Sequence, residues 1–164
     1  MNSKERVFCA LKHIIPDRIP IDIGGLQSGI HIDAYKKLLK HLNIHEKEIK
    51  FSDIIQHTAL PCEELLESFH ADIRYLYFNG TIIPEDAEFE LSDDQKWQGI
   101  KDQFGVFWGE RIEKSKEDIL YLDPVIHPLA NCKSVEDVRN YDWPDGRNKA
   151  PFEGLKAKAK RLRK

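Results

Sequence analysis

The sequence predicts an α/β fold assembled on a parallel sheet, and three stretches carry that prediction. In Arg18–Gly25, Ile19, Ile21 and Ile23 alternate with Pro20 and Asp22, a period of two that the glycine pair Gly24-Gly25 ends: a strand opening into a loop. Between Asp33 and Asn43, Tyr35, Leu38, Leu39 and Leu42 recur at helical spacing. Ile73–Phe78 is apolar on both faces, as expected of a strand buried between layers. Strand followed by amphipathic helix followed by strand is the unit from which parallel sheets are built.

Taken in order, Ser3 is an N-cap for a helix carrying Val7, Ala10, Leu11 and Ile14 inward until Pro16 closes it. Pro20 has no N–H for a ladder, which places the first strand at an edge or at the start of its sheet, while Gly24 and Gly25 let backbone approach a ligand closely. Ligands of α/β proteins bind where such strands end. Asp33 caps the next helix and Asn43 stops it. A further helical stretch starts near Ser52 and runs through Ile54 and Ile55, and Pro61 opens another at its first turn, with Glu63 and Glu64 at the positive dipole end and Leu65, Leu66 and Phe69 inward. Asn79-Gly80 ends the second strand.

From Thr81 to Leu122 helical periodicity is lost, and an acidic, aromatic segment carries Trp97, Phe104, Phe107 and Trp108. It reads as an inserted excursion with short hairpin strands at Gln103–Trp108 and Ile119–Leu122, serving as a lid or partner surface or, equally, covering a sheet edge. Pro124, His127 and Pro128 mark a turn. Ser134 with Asp137 then opens a short helix through Val138 and Tyr141, and a last helix begins at Pro151, carries Leu155, Ala159 and Leu162 inward and continues to Lys164.

At 164 residues a chain buries about 70% of the surface its unfolded form exposes, enough for a core. With 32% charged and 41% apolar residues and no apolar run of membrane-crossing length, the balance is that of a soluble protein, and the amino terminus has no apolar secretory region. Cytoplasm is the expected compartment. Cys9, Cys62 and Cys132 are odd in number and far apart, and read as reduced thiols. Residues 150–164 hold six cations against Glu153, a local charge of +5 that leaves the other residues at −8 within a total of −3. That tail lacks interleaved aromatics, so a solvated helix end is expected in preference to a nucleic-acid contact.

Several stretches taken together resemble the N-terminal part of the uroporphyrinogen decarboxylase superfamily, which includes cobamide-dependent methyltransferases. They are Ser3-Lys4-Glu5-Arg6-Val7, Pro16-Asp17-Arg18-Ile19-Pro20-Ile21-Asp22, Gly24-Gly25, Gly29-Ile30 and Leu60-Pro61-Cys62-Glu63-Glu64-Leu65-Leu66-Glu67. Further along follow Ala71-Asp72-Ile73-Arg74, Phe104-Gly105-Val106, Ser134-Val135-Glu136-Asp137 and Trp143-Pro144-Asp145. The resemblance implies a TIM-type (β/α)8 barrel, which usually takes about 250 residues. It therefore implies an incomplete barrel: residues 1–80 supply a helix and barrel strands one (Arg18–Ile23) and two (Asp72–Phe78) with their helices, residues 81–130 the hairpin-like insertion, residues 131–164 helices, and roughly six strands lie beyond Lys164.

The decarboxylases carry Arg-Gln-Ala-Gly-Arg after strand one to meet substrate carboxylates; here Asp22-Ile23-Gly24-Gly25-Leu26-Gln27 stands there, without either arginine, which argues against uroporphyrinogen itself. Phe51-Ser52-Asp53-Ile54 is similar to the decarboxylase motif whose aspartate steadies the protonated pyrrole as carbon dioxide leaves. Its distance from strand one differs, and the other reading of Asp53 is an N-cap or first-turn carboxylate. Asp22, Gly24, Gly25 and Gln56 are the expected substrate contacts.

The methyltransferase branch holds a thiol-activating zinc through His-x-Cys and a later Cys, and works with a corrinoid partner; no His-x-Cys occurs here, so this chain is expected to hold no cofactor itself. His41 and His45 read as surface histidines, and His57 with Cys62 as neither a metal pair nor a nucleophile dyad. No glycine-rich phosphate loop is present. The expectation is a protein inert alone, related to a carboxy-lyase or methyltransferase, taking a small-molecule substrate only once completed, with a second polypeptide supplying the missing strands. The alternative is a protein-interaction module.

Overall fold

The computed structural model describes residues 1–25, 27–78, 88–113 and 120–163. The expected strand end at Asn79-Gly80, the start of the excursion at Thr81–Ala87, Ile119 and the last residue of the tail lie outside the described residues. The chain forms two compact units, Met1–Leu76 and Tyr77–Lys164.

The first unit opens with α1, Ser3–Leu11. Its cap is Asn2, not Ser3: the Asn2 side chain accepts from the Glu5 amide and the Glu5 carboxylate accepts from the Asn2 amide, a closed capping box. The expected inward face is not buried: Leu11 and Ile14 are more than half exposed and Phe8, within the helix, is half exposed, because Arg6 is the one α1 side chain drawn into the unit's interior.

The core of this unit is organised by α2, Ile32–Leu42. Tyr35 and Leu39 are buried with Ile44, Ala59 and Leu65, and Leu38 and Leu42 pack against them, as the helical spacing predicts. Asn43 ends the helix in the left-handed conformation at φ 57°, and the Ile44 amide returns to the Leu39 carbonyl. Against this helix lies a three-stranded antiparallel sheet of β1 (Ile30–His31), β2 (Phe51–Asp53) and β3 (Thr58–Ala59), with β3 in the middle. The short α3, Glu63–Ser68, follows and buries Leu65 and Leu66.

Two expectations about this unit are corrected. The stretch at Ser52 is a strand, because the Ser52 hydroxyl bonds back to Thr58 and Ala59 and the Asp53 carboxylate closes a turn on the amides of Ile55 and Gln56. Arg18–Ile23 and Ile73–Phe78 are not strands, and every described strand pairs antiparallel. Pro20 supplies no N–H, and the Ile21 amide is taken by the Asp72 side chain in place of a backbone carbonyl. What joins the two segments is the Asp72 amide, which donates to the Ile21 carbonyl at 2.8 Å.

The second unit holds a four-stranded antiparallel meander of β4 (Glu90–Leu91), β5 (Trp97–Lys101), β6 (Phe107–Arg111) and β7 (Asp123–Ile126). A hairpin in the excursion was expected, with its strands elsewhere. Residues 102–106 form the turn because the buried Asp102 carboxylate accepts from the amides of Phe104 and Val106 and from the Trp108 indole N–H. Pro124 sits in β7, an edge strand, the position at which a sheet tolerates a residue without an N–H. Ile100, Phe107 and Leu122 are buried. Helix α4, Val135–Arg139, starts on the expected Ser134–Asp137 capping box. The last helix, α5 (Leu155–Leu162), begins four residues after Pro151, since Gly154 at φ 71° interrupts the backbone and leaves Ala150–Phe152 as a 3-10 turn; Leu162 is exposed. Among the described residues no helix is long and apolar enough to cross a membrane.

Candidate functional site

The Asp72 side chain, with none of its surface exposed, gathers four hydrogen bonds in the first unit. Its Oδ1 accepts from Arg6 Nη1 and Arg18 Nη2, and its Oδ2 from Arg18 Nη1 and the Ile21 amide. Burial pushes the Asp72 carboxyl upward, but the Ile21 amide, the Arg18 guanidinium, the Ser3 hydroxyl and Arg6 together hold it well below the usual carboxylate range. Arg6 projects from α1, is almost fully buried, and also grips Asp17 through Nε and Nη2 at 2.6 and 2.9 Å. Its bond to Asp17 in turn raises the Arg6 guanidinium and lowers the Asp17 carboxyl. This cluster clamps the start of the Asp22–Gly29 loop.

Within that loop the Gly24 amide donates to the Ser28 carbonyl and the Gly25 amide to the Ser28 hydroxyl, closing a compact turn. Gly24 takes φ 95° against the Pro61 ring, a backbone conformation that L side chains rarely adopt. Gly25 has no room for a Cβ, which would lie 2.1 Å from the Tyr75 ring. Tyr75 Oη donates to Asp22 Oδ2, and this bond to Asp22 is the chief cause that raises the Tyr75 phenol. The other carboxylate oxygen, Asp22 Oδ1, is buried and has no hydrogen-bond partner among the described residues.

Asp22 and Gly25 therefore meet on Tyr75, and Gly24 lies beside them against Pro61. Asp53 and Gln56 sit in the β2–β3 turn, where the Gln56 amide donates to the Asp53 carboxylate and Gln56 is exposed. The structure does not bring these two groups together; Thr58 is the register partner of Asp53 and His31, and Gly29 lies against its side chain. The Asp53 carboxylate closes this turn on the amides of Ile55 and Gln56 and caps no helix, because the stretch expected to be helical is a strand.

Compared with known protein families, curated proteins and solved structures, the chain matches none. The site is accordingly read from its own residues.

Among the described residues no three His, Cys, Asp or Glu side chains converge on a point that a metal ion would occupy. The His31 and His57 rings lie 6.1 Å apart, tilted, with Phe51 beside His57. His41 lies in the last turn of α2, while His45 lines a shallow hollow of about 330 Å³ with Lys36 and Lys40. Cys62 caps α3 through its backbone, and its amide donates to the buried Tyr35 hydroxyl, which donates to Glu46. Burial foremost, together with Cys62 and Glu46, pushes the Tyr35 phenol far up, which keeps it a neutral hydroxyl pinning α2 to α3.

Sequence reasoning assigned no role to Tyr75, Ser28 or Asp72. Asp72 stands within one of the stretches that carry the resemblance, where an acid beside Ile73 at the start of an apolar run is the one signal for it. Tyr75 gave none, because its partner is 53 residues away in the chain.

Proposed function

We propose that the chain is the opening module of a uroporphyrinogen decarboxylase-like or corrinoid methyltransferase-like barrel, silent as a catalyst by itself, whose Asp22–Gly29 loop contributes to a small-molecule pocket at the strands' C-terminal ends. The observation that supports this reading is the convergence on Asp72. Arg6, Asp17 and Arg18 come from two of the stretches that carry the resemblance and Asp72 from a third, and one ion cluster holds all four. The extended segments that the reading takes as barrel strands one and two run into that cluster, joined by one backbone hydrogen bond between Asp72 and Ile21. Completion by a second polypeptide would turn them into a ladder.

In a completed barrel of the decarboxylase type Asp53 is the candidate carboxylate that steadies the protonated pyrrole; in one of the methyltransferase type, zinc and the corrinoid would be held by residues outside this chain. The 164-residue protein is expected to turn over neither uroporphyrinogen nor methylcobalamin with a thiol, and turnover of either would sink the reading. Amide exchange gives a second test. Residues 19–23 and 73–76 should exchange far faster than α2, and protection equal to that of Leu39 would mean that they already belong to a self-sufficient sheet.

A second reading, a protein-interaction module, is favoured by one observation. Phe8, Leu11, Ile14, Ile15 and Ile19 lie within twelve residues of sequence and each is at least half exposed. Co-purification separates the two: the first reading expects the remainder of a barrel, the second an unrelated polypeptide.

A further inference from the structure

Resting on the reading of the Asp22–Gly29 loop as a ligand loop, we propose that the Asp22 carboxylate receives a cationic N–H donor, an ammonium or amidinium group, from the ligand, and that Tyr75 occupies the carboxylate until that group arrives. Three observations carry this. Asp22 Oδ1 is buried without a hydrogen-bond partner among the described residues, and native proteins seldom leave a buried carboxylate oxygen in that state without a use for it. The other oxygen is bonded to the Tyr75 hydroxyl, on a side chain more than a third exposed and on a segment with no helix or strand to hold it, so this bond can be exchanged for one to a ligand.

The third observation concerns what the loop cannot bind. The first unit contains three arginines, and each is engaged by a carboxylate of its own chain: Arg6 by Asp17 and Asp72, Arg18 by Asp72, Arg74 by Glu63. A polycarboxylate ligand finds no arginine fork left over at this loop, whereas an amidinium presents two parallel N–H groups that match both oxygens of Asp22. The loop is thus set for a donor-bearing cation, the opposite polarity from a porphyrinogen's acidic side chains. The turn at Gly24 and Gly25 is held against Pro61 and Tyr75, which keeps Asp22 and the Tyr75 ring in register.

The test titrates the 164-residue protein with methylguanidinium or methylammonium chloride at millimolar concentration and constant ionic strength, following the amide resonances of residues 22–28. Sodium acetate serves as the anionic counterpart. Saturable shifts confined to this loop are expected with the cations and none with acetate. Asp22→Asn should weaken the cation at least about tenfold, as loss of one charge-assisted bond does. Tyr75→Phe should tighten it severalfold by removing the internal competitor. Dispersed α2 resonances confirm that each variant is folded. Three results overturn the proposal: no saturable cation shift, which leaves an ordered water as the only occupant; binding unaffected by Asp22→Asn; or acetate binding at the same residues. Each of these leaves the barrel reading intact, whereas protection of residues 19–23 would remove that reading and leave the cation result standing.

Discussion

Arg18 holds Asp72 across 54 residues of chain with both Nη atoms, Nη1 on Oδ2 at 2.7 Å and Nη2 on Oδ1 at 3.1 Å. The two-toothed pairing fixes orientation as well as distance, and Arg6 and the Ile21 amide complete it.

Replacing Asp72 by Asn should therefore destabilise the first unit by about 2 kcal/mol. This lies below the range for breaking a fully buried pair because Arg18 is partly open to water and the amide keeps some of the bonds. Urea unfolding of the variant beside wild type checks it. A loss under 0.5 kcal/mol, about the size of an ordinary surface change, would show that the cluster is an ornament of the surface.

Acid should act through the same residues. Asp17 and Asp72 have folded-state affinities for protons below their ordinary value of 3.8, so on acidification the unfolded chain takes up protons first. Their contribution is present in full above that value, falls as pH drops beneath it, and is gone once the folded carboxyls protonate. The α2 signal in circular dichroism at fixed urea should thus be flat from neutrality to about pH 5 and decline below it, and Asp72→Asn should flatten the decline. An Asp72→Asn profile with the wild-type slope would contradict this.

Gly25→Ala places a Cβ where the Tyr75 ring lies, and overpacking of that kind costs typically about 1–3 kcal/mol. The penalty should largely vanish in a Tyr75→Ala background, a coupling that a double-mutant cycle reads directly. Additive effects would mean that the ring does not rest on Gly25 in solution.

In the second unit, Asp102→Ala strips three N–H donors of their acceptor and should cost about 2–3 kcal/mol. Since Trp108 is one of the donors, its fluorescence should change in the folded variant. Faster exchange confined to the amides of β5 and β6 is the second readout, and unaltered exchange there would argue against a structural role for the carboxylate.

Local features were legible in the chain because their causes are local. The apolar spacing of Tyr35, Leu38, Leu39 and Leu42 placed α2 and its buried face, Asn43 marked its end, and Ser134 with Asp137 the start of α4. Misreadings arose where a side chain competes with the backbone. Ser52 and Asp53 turned an expected helix into a strand and turn, Asp102 moved the hairpin upstream, and Asp72 took the amide on which the first expected strand depended.

By itself, then, the order of residues determined α2 with its buried face and its stop at Asn43, and the capping box that opens α4. Tertiary structure alone decided that Asp72 is the hub, that Tyr75 meets Asp22, that Asp22 keeps one oxygen unpaired among the described residues, and that Asp53 closes a turn. The physical reason is range: helix spacing and capping act within about four residues, whereas a buried charge finds its partner wherever the folded chain brings one, and periodicity carries no record of that distance.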